Sequence, residues 1–76
     1  MKKYLNRSGR SGVDSYEEGE DCITVLFKAG SARQYLYNDA VTGSDHVERM
    51  KDLAANGEGL NSYINRHVKK SYADKI

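Results

Sequence analysis

Gly59-Leu60-Asn61-Ser62-Tyr63-Ile64-Asn65-Arg66-His67-Val68-Lys69-Lys70-Ser71-Tyr72 sets the architecture of this chain. Leu60, Tyr63, Ile64, His67, Val68 and Ser71 recur at the i, i+3, i+4, i+7, i+8 spacing that gathers side chains on one side of a helix. Ser62, Arg66, Lys69 and Lys70 fall on the opposite side, with Asn61 and Asn65 at the flank. One face therefore needs a core to cover, and the other carries three cations beside amides and a hydroxyl.

The core partner lies upstream. Cys22-Ile23-Thr24-Val25-Leu26-Phe27 is rich in β-branched and aromatic residues and alternates, with Ile23, Val25 and Phe27 on one face and Cys22, Thr24 and Leu26 on the other. Val13 to Glu17 reads as a preceding strand, Val13 and Ser15 facing one way and Asp14 and Tyr16 the other, with Glu18-Gly19-Glu20-Asp21 as its turn. Lys28-Ala29-Gly30-Ser31 closes a second hairpin on Gly30, and Arg33-Gln34-Tyr35-Leu36-Tyr37 returns. The period then changes. Ser44 is placed to cap a helix starting at Asp45, with Val47, Met50, Leu53 and Ala54 as its apolar stripe, and Asn56-Gly57 stops it. The short Gly57-Glu58-Gly59 link makes the two helices neighbours. The expected class is α+β, a three-stranded antiparallel β-meander followed by two C-terminal helices packed on one face, in the order β-β-β-α-α. Residues 1–11 have no periodicity and read as a flexible basic arm, leaving 12–76 as a single domain.

Seventy-six residues allow one small core. A single cysteine, Cys22, excludes an internal disulfide, and the longest apolar run, Val25-Leu26-Phe27, excludes a membrane span. No apolar segment follows Lys2 and Lys3, so no signal peptide is read and the cytoplasm is the expected location. Net charge is only +1, yet it is polarised. Lys2, Lys3, Arg7 and Arg10 occupy residues 1–12 without an acid, while Asp14, Glu17, Glu18, Glu20 and Asp21 follow without a base. Arg66, Lys69, Lys70 and Lys75 oppose Asp74 alone at the other end.

Ile23, Val25 and Phe27, then Gly30, then Tyr35 and Tyr37, then Tyr63-Ile64-Asn65 followed by Arg66, Lys69, Lys70 and Tyr72 form an ordered set over about residues 11–76. In that order and spacing the chain resembles the KTSC domain, found at the C-terminus of some lysyl-tRNA synthetases and as small bacterial and phage proteins. The chain departs from that pattern at Gly59-Leu60-Asn61, where many members have Ser-Lys-Gly, and at Asp39-Ala40-Val41-Thr42-Gly43, which lacks the usual proline. The resemblance implies the fold more than an activity; its synthetase context implies RNA.

No catalytic residue is named, because no nucleophile, base and acid converge in the pattern. Cys22 lies within a strand without a local cation, so a packed thiol is expected. His46 and His67 lie along helical stripes as partly buried, hydrogen-bonded side chains; a metal pair would need further protein ligands, so neither metal nor cofactor is expected. There are six tyrosines, one phenylalanine and no tryptophan. Tyr35 and Tyr37 share a strand face and are expected to enter the core with Val25 and Phe27, since an outward pair would leave that strand only Leu36 to bury.

The candidate ligand-binding set is Arg33, Asn61, Tyr63, Asn65, Arg66, Lys69 and Lys70. Cations on a helix face beside amides suit phosphate, with strongly salt-dependent affinity; the same face also fits a merely solvated helix. The expected function is a non-catalytic module that binds RNA or another phosphate-bearing ligand, nucleotides included. The alternative is a protein–protein interaction or self-associating module of phage or bacterial origin, without a nucleic-acid role, using exposed tyrosines and the sheet face around Thr24 and Leu26.

Overall fold

The computed structural model describes residues 1–9, 11–28 and 34–75. Its strands are β1 (Lys2–Lys3), β2 (Val13–Glu18), β3 (Cys22–Phe27), β4 (Gln34–Asn38) and β5 (Asp74–Lys75). Helix α1 (Ser44–Asn56) and helix α2 (Leu60–Tyr63) lie between β4 and β5, and α2 continues as a π-helical segment, Ile64–Val68. The sheet runs β1-β2-β3-β4-β5 with every pair antiparallel. The α+β class with two helices is therefore observed, but among the described residues the sheet has five strands where three were expected. The two additional strands, each only two residues long, come from the chain ends and carry Lys2, Lys3, Asp74 and Lys75. They join chiefly by backbone pairing, and charged short edges of this kind discourage further pairing.

The segment read as a flexible arm is laid onto the sheet in its described part. Lys2 and Lys3 pair with Tyr16 and Ser15, and Tyr4 is buried. Lys3 also meets Asp14 at 3.2 Å. The Arg7 amide donates to the Gly57 carbonyl at 2.8 Å, and the Leu60 amide donates to the Tyr4 hydroxyl at 3.3 Å. Tyr4 thus acts as a core residue that polar neighbours had concealed.

Register corrects the face assignment on β2. Val13 pairs with Phe27 and Ser15 with Leu26, so Asp14 is a bulge that resets the alternation. Val13 and Tyr16 consequently both join the core, at 0% and 6% exposure. β3 behaves as its alternation requires: Ile23 and Val25 are fully buried, facing Tyr37 and Tyr35 of β4. Both tyrosines turn inward as expected, Tyr37 buried and Tyr35 half-buried. The Gly30 turn and Arg33 lie outside the described residues.

Helix α1 buries Val47, Met50 and Ala54, with Leu53 packed at the margin. Its first residue is Ser44 and its N-cap is Gly43, which makes no side-chain cap hydrogen bond; the Ser44 cap is not formed. Gly57 ends it in the left-handed conformation, φ 77°, its amide reaching the Leu53 and Ala54 carbonyls at 2.9 and 3.1 Å. Leu60, Ile64 and Val68, at strict i, i+4, i+8 spacing, bury the second helix. The π segment accounts for that spacing, because its i→i+5 bonds take in more residues per turn than an α-helix. The same widening turns His67, expected on the apolar stripe, out to the surface. After Val68 the chain reverses, the Thr42 hydroxyl donating to the Ser71 carbonyl and the Ala73 amide to the Leu36 carbonyl at 2.7 Å, which seats β5 beside β4.

Candidate functional site

A groove of about 440 Å³ opens between the sheet and the second helix. Its floor is aromatic: Phe27 from β3, Tyr35 and Tyr37 from β4, and Tyr72 from the segment leading into β5. Its other wall is Ile64, Asn65, Lys69 and Lys70. The floor is an assembled cluster. The Tyr35 ring stacks on Tyr37 at 6.5 Å and meets the edges of Phe27 at 5.6 Å and Tyr72 at 4.9 Å. Such offset and edge contacts hold rings in a fixed orientation.

Charge in the groove is one-sided, with no carboxylate among the lining residues. Lys69 and Lys70 are exposed at the wall, and the Lys75 ammonium sits 5.6 Å from the Tyr35 ring centre. Burial pushes the Tyr37 phenol up to about 12, with the neighbouring Tyr35 and Tyr72 hydroxyls adding to the shift. At neutral pH its hydroxyl therefore stays protonated and is able both to donate and to accept. Aromatic rings below, cations and an amide at the rim suit a flat group bearing an anion.

A second hollow, about 220 Å³, lies at the start of the same helix, lined by Ser8, Ser11, Gly59, Asn61 and Ser62. Its described lining carries hydroxyls and an amide and no charged side chain. On the opposite flank, His46 Nδ1 and the Tyr63 hydroxyl are 2.6 Å apart, and the His67 ring lies 4.6 Å from Tyr63 and 6.0 Å from His46. This small cluster joins α1 to the second helix. Among the described residues no group of three or more His, Cys, Asp or Glu converges as a metal site. Tyr63→Phe leaves the half-buried His46 Nδ1 without this partner. It is expected to cost about 1 kcal/mol, a fall of roughly 4–8 °C in a thermal melt; an unchanged melt would mean that the contact carries no stability.

The candidates drawn from the sequence thus separate. Asn65, Lys69 and Lys70 converge on the groove, whereas Asn61 lines the second hollow. Tyr63 turns to the histidines, and exposed Arg66 lines neither hollow. Arg33 is outside the described residues. The groove also recruits Phe27, Tyr35, Tyr37 and Tyr72, with Lys75 beside it. Tyr72 was visible as part of the motif order, but its neighbour Tyr35 is far away in sequence and no local spacing joins them. No protein-family model, curated protein or solved structure matches this chain.

Proposed function

We propose that the protein is a non-catalytic module that binds single-stranded RNA, seating one base against the tyrosines of the groove and its phosphate on Lys69 and Lys70. The carrying observation is the groove itself: an aromatic floor under a cationic rim without a carboxylate. Every base has a π face, so stacking on such a floor tolerates sequence and contributes about 1–3 kcal/mol per base. The phosphate contacts set the salt dependence. The motif order that resembles the KTSC domain favours the same ligand through its synthetase context.

Fluorescence anisotropy with a short labelled RNA, repeated across salt concentrations, tests this reading. A Kd on the order of 1–100 μM at low salt is expected, falling away as salt rises. Lys69→Glu with Lys70→Glu should weaken binding by about tenfold and flatten the log–log salt slope by roughly 0.7, the share of one phosphate on a single strand. No binding at low salt, or a double variant indistinguishable from the parent chain, overturns the proposal.

A second reading is favoured by one observation: the buried residues of both helices share the core with Ile23, Val25 and Tyr37, whereas Thr24, Leu26 and Leu36 alternate with that buried set along β3 and β4 and are only partly buried. There the protein would pair with a second copy of itself. Sedimentation yielding only monomer at high concentration counts against it.

A further inference from the structure

Asn61, Asn65 and Lys69 stand at i, i+4 and i+8 on one flank of the second helix. The first lines the small hollow, and the other two line the aromatic groove. At about 1.5 Å of rise per residue, roughly 6–12 Å separates the hollow from the groove wall. A stacked single strand advances about 3.4 Å per nucleotide, and more where bases splay apart. Where neighbouring bases splay apart, one nucleotide step reaches the nearer end of that span along one track.

Their chemistries differ in a way that sorts the parts of a strand. Lys69 and Lys70 offer only donors, which suits phosphate oxygens. Among the described residues the lining of the hollow carries no charge; it offers the Asn61 amide, which forms no side-chain hydrogen bond among the described residues, together with the Ser11 and Ser62 hydroxyls. Ser11 Oγ already accepts the Val13 amide at 3.1 Å, so its proton remains to be donated. Gly12 keeps this wall low, since a Cβ there would stand 3.3 Å from Asn61 Oδ1. Paired donors and acceptors without charge match a ribose, whose 2′-hydroxyl both donates and accepts and is what separates RNA from DNA.

Resting on the single-strand reading above, we propose that the hollow at Ser11, Asn61 and Ser62 is a ribose subsite for the nucleotide next to the one in the groove. The ligand then spans at least two nucleotides, and the module prefers RNA to DNA.

Titration of the full chain with a ribonucleoside monophosphate, a diribonucleotide and its deoxy counterpart tests this, followed by amide chemical shifts. The diribonucleotide should bind about threefold to tenfold more tightly than either other ligand, the gain of one or two hydrogen bonds. Asn61→Ala with Ser62→Ala should abolish that gain and leave monophosphate binding and the melting temperature unchanged. Equal affinity for the ribo and deoxy forms, or a gain that survives the double variant, overturns the ribose subsite while monophosphate binding still upholds the groove. Absence of binding by all three ligands overturns both.

Discussion

Leu60→Ala is expected to leave the chain largely unfolded at physiological temperature. Leu60 is fully buried at the point where the second helix meets the core, beside the turn out of α1. Truncating a buried leucine removes its transfer free energy and leaves a cavity, together about 2–5 kcal/mol. A single core in a chain of this length rarely supplies more than about 3–5 kcal/mol. The loss is therefore comparable with the whole stability. The backbone amide that donates to Tyr4 survives the substitution, so the effect isolates side-chain packing. Urea unfolding followed by circular dichroism measures it, with Val41→Ala, at a position 56% exposed, as the control expected within about 0.5 kcal/mol of the parent. A Leu60→Ala midpoint close to that control would mean that the helix does not cover the core as described.

The second large effect is alkaline. Tyr37 is buried, and its phenol is raised from 10.0 to about 12 by that burial and by Tyr35 and Tyr72. The folded form therefore holds its proton where the unfolded chain has begun to lose it. Stability from this group is fully present below pH about 10 and falls as pH rises toward about 12, by on the order of 2–3 kcal/mol in total at about 1.4 per unit. Tyr37→Phe keeps the ring and removes the proton, so its stability should be much flatter over the same interval. Urea midpoints at several pH values between 9 and 12 provide the comparison. Equal alkaline slopes for the two chains would mean that Tyr37 is not the group responsible.

The sequence carried the parts of this fold that are written in side-chain alternation. Ile23 and Val25 announce a core strand, Val47, Met50 and Ala54 a helical stripe, and Gly57 its end, and each is found in that role. Lys2–Lys3 and Asp74–Lys75 could not announce themselves, because two-residue edge strands form by backbone hydrogen bonds and impose no pattern. The bulge at Asp14 and the π segment from Ile64 were hidden for a related reason. Each inserts a local change of period, and period was the signal being read. The site divides similarly. Asn65, Lys69 and Lys70 were legible because one helix displays them, whereas Tyr72 and Lys75 reach Tyr35 only after the chain has reversed and docked. Tyr63 was drawn away by a histidine on another helix, a contact that helical spacing cannot reveal.

The bond from the Leu60 amide to the Tyr4 hydroxyl joins positions 56 residues apart. Closing a loop of that length from a disordered chain costs roughly 3–4 kcal/mol, whereas one hydrogen bond contributes about 1. The contact is therefore unfavourable until strands and helices have already brought its ends together. Closure of the Leu60–Tyr4 contact is expected to come late, and the folding rate to follow the non-local pairing of the sheet more than the helices.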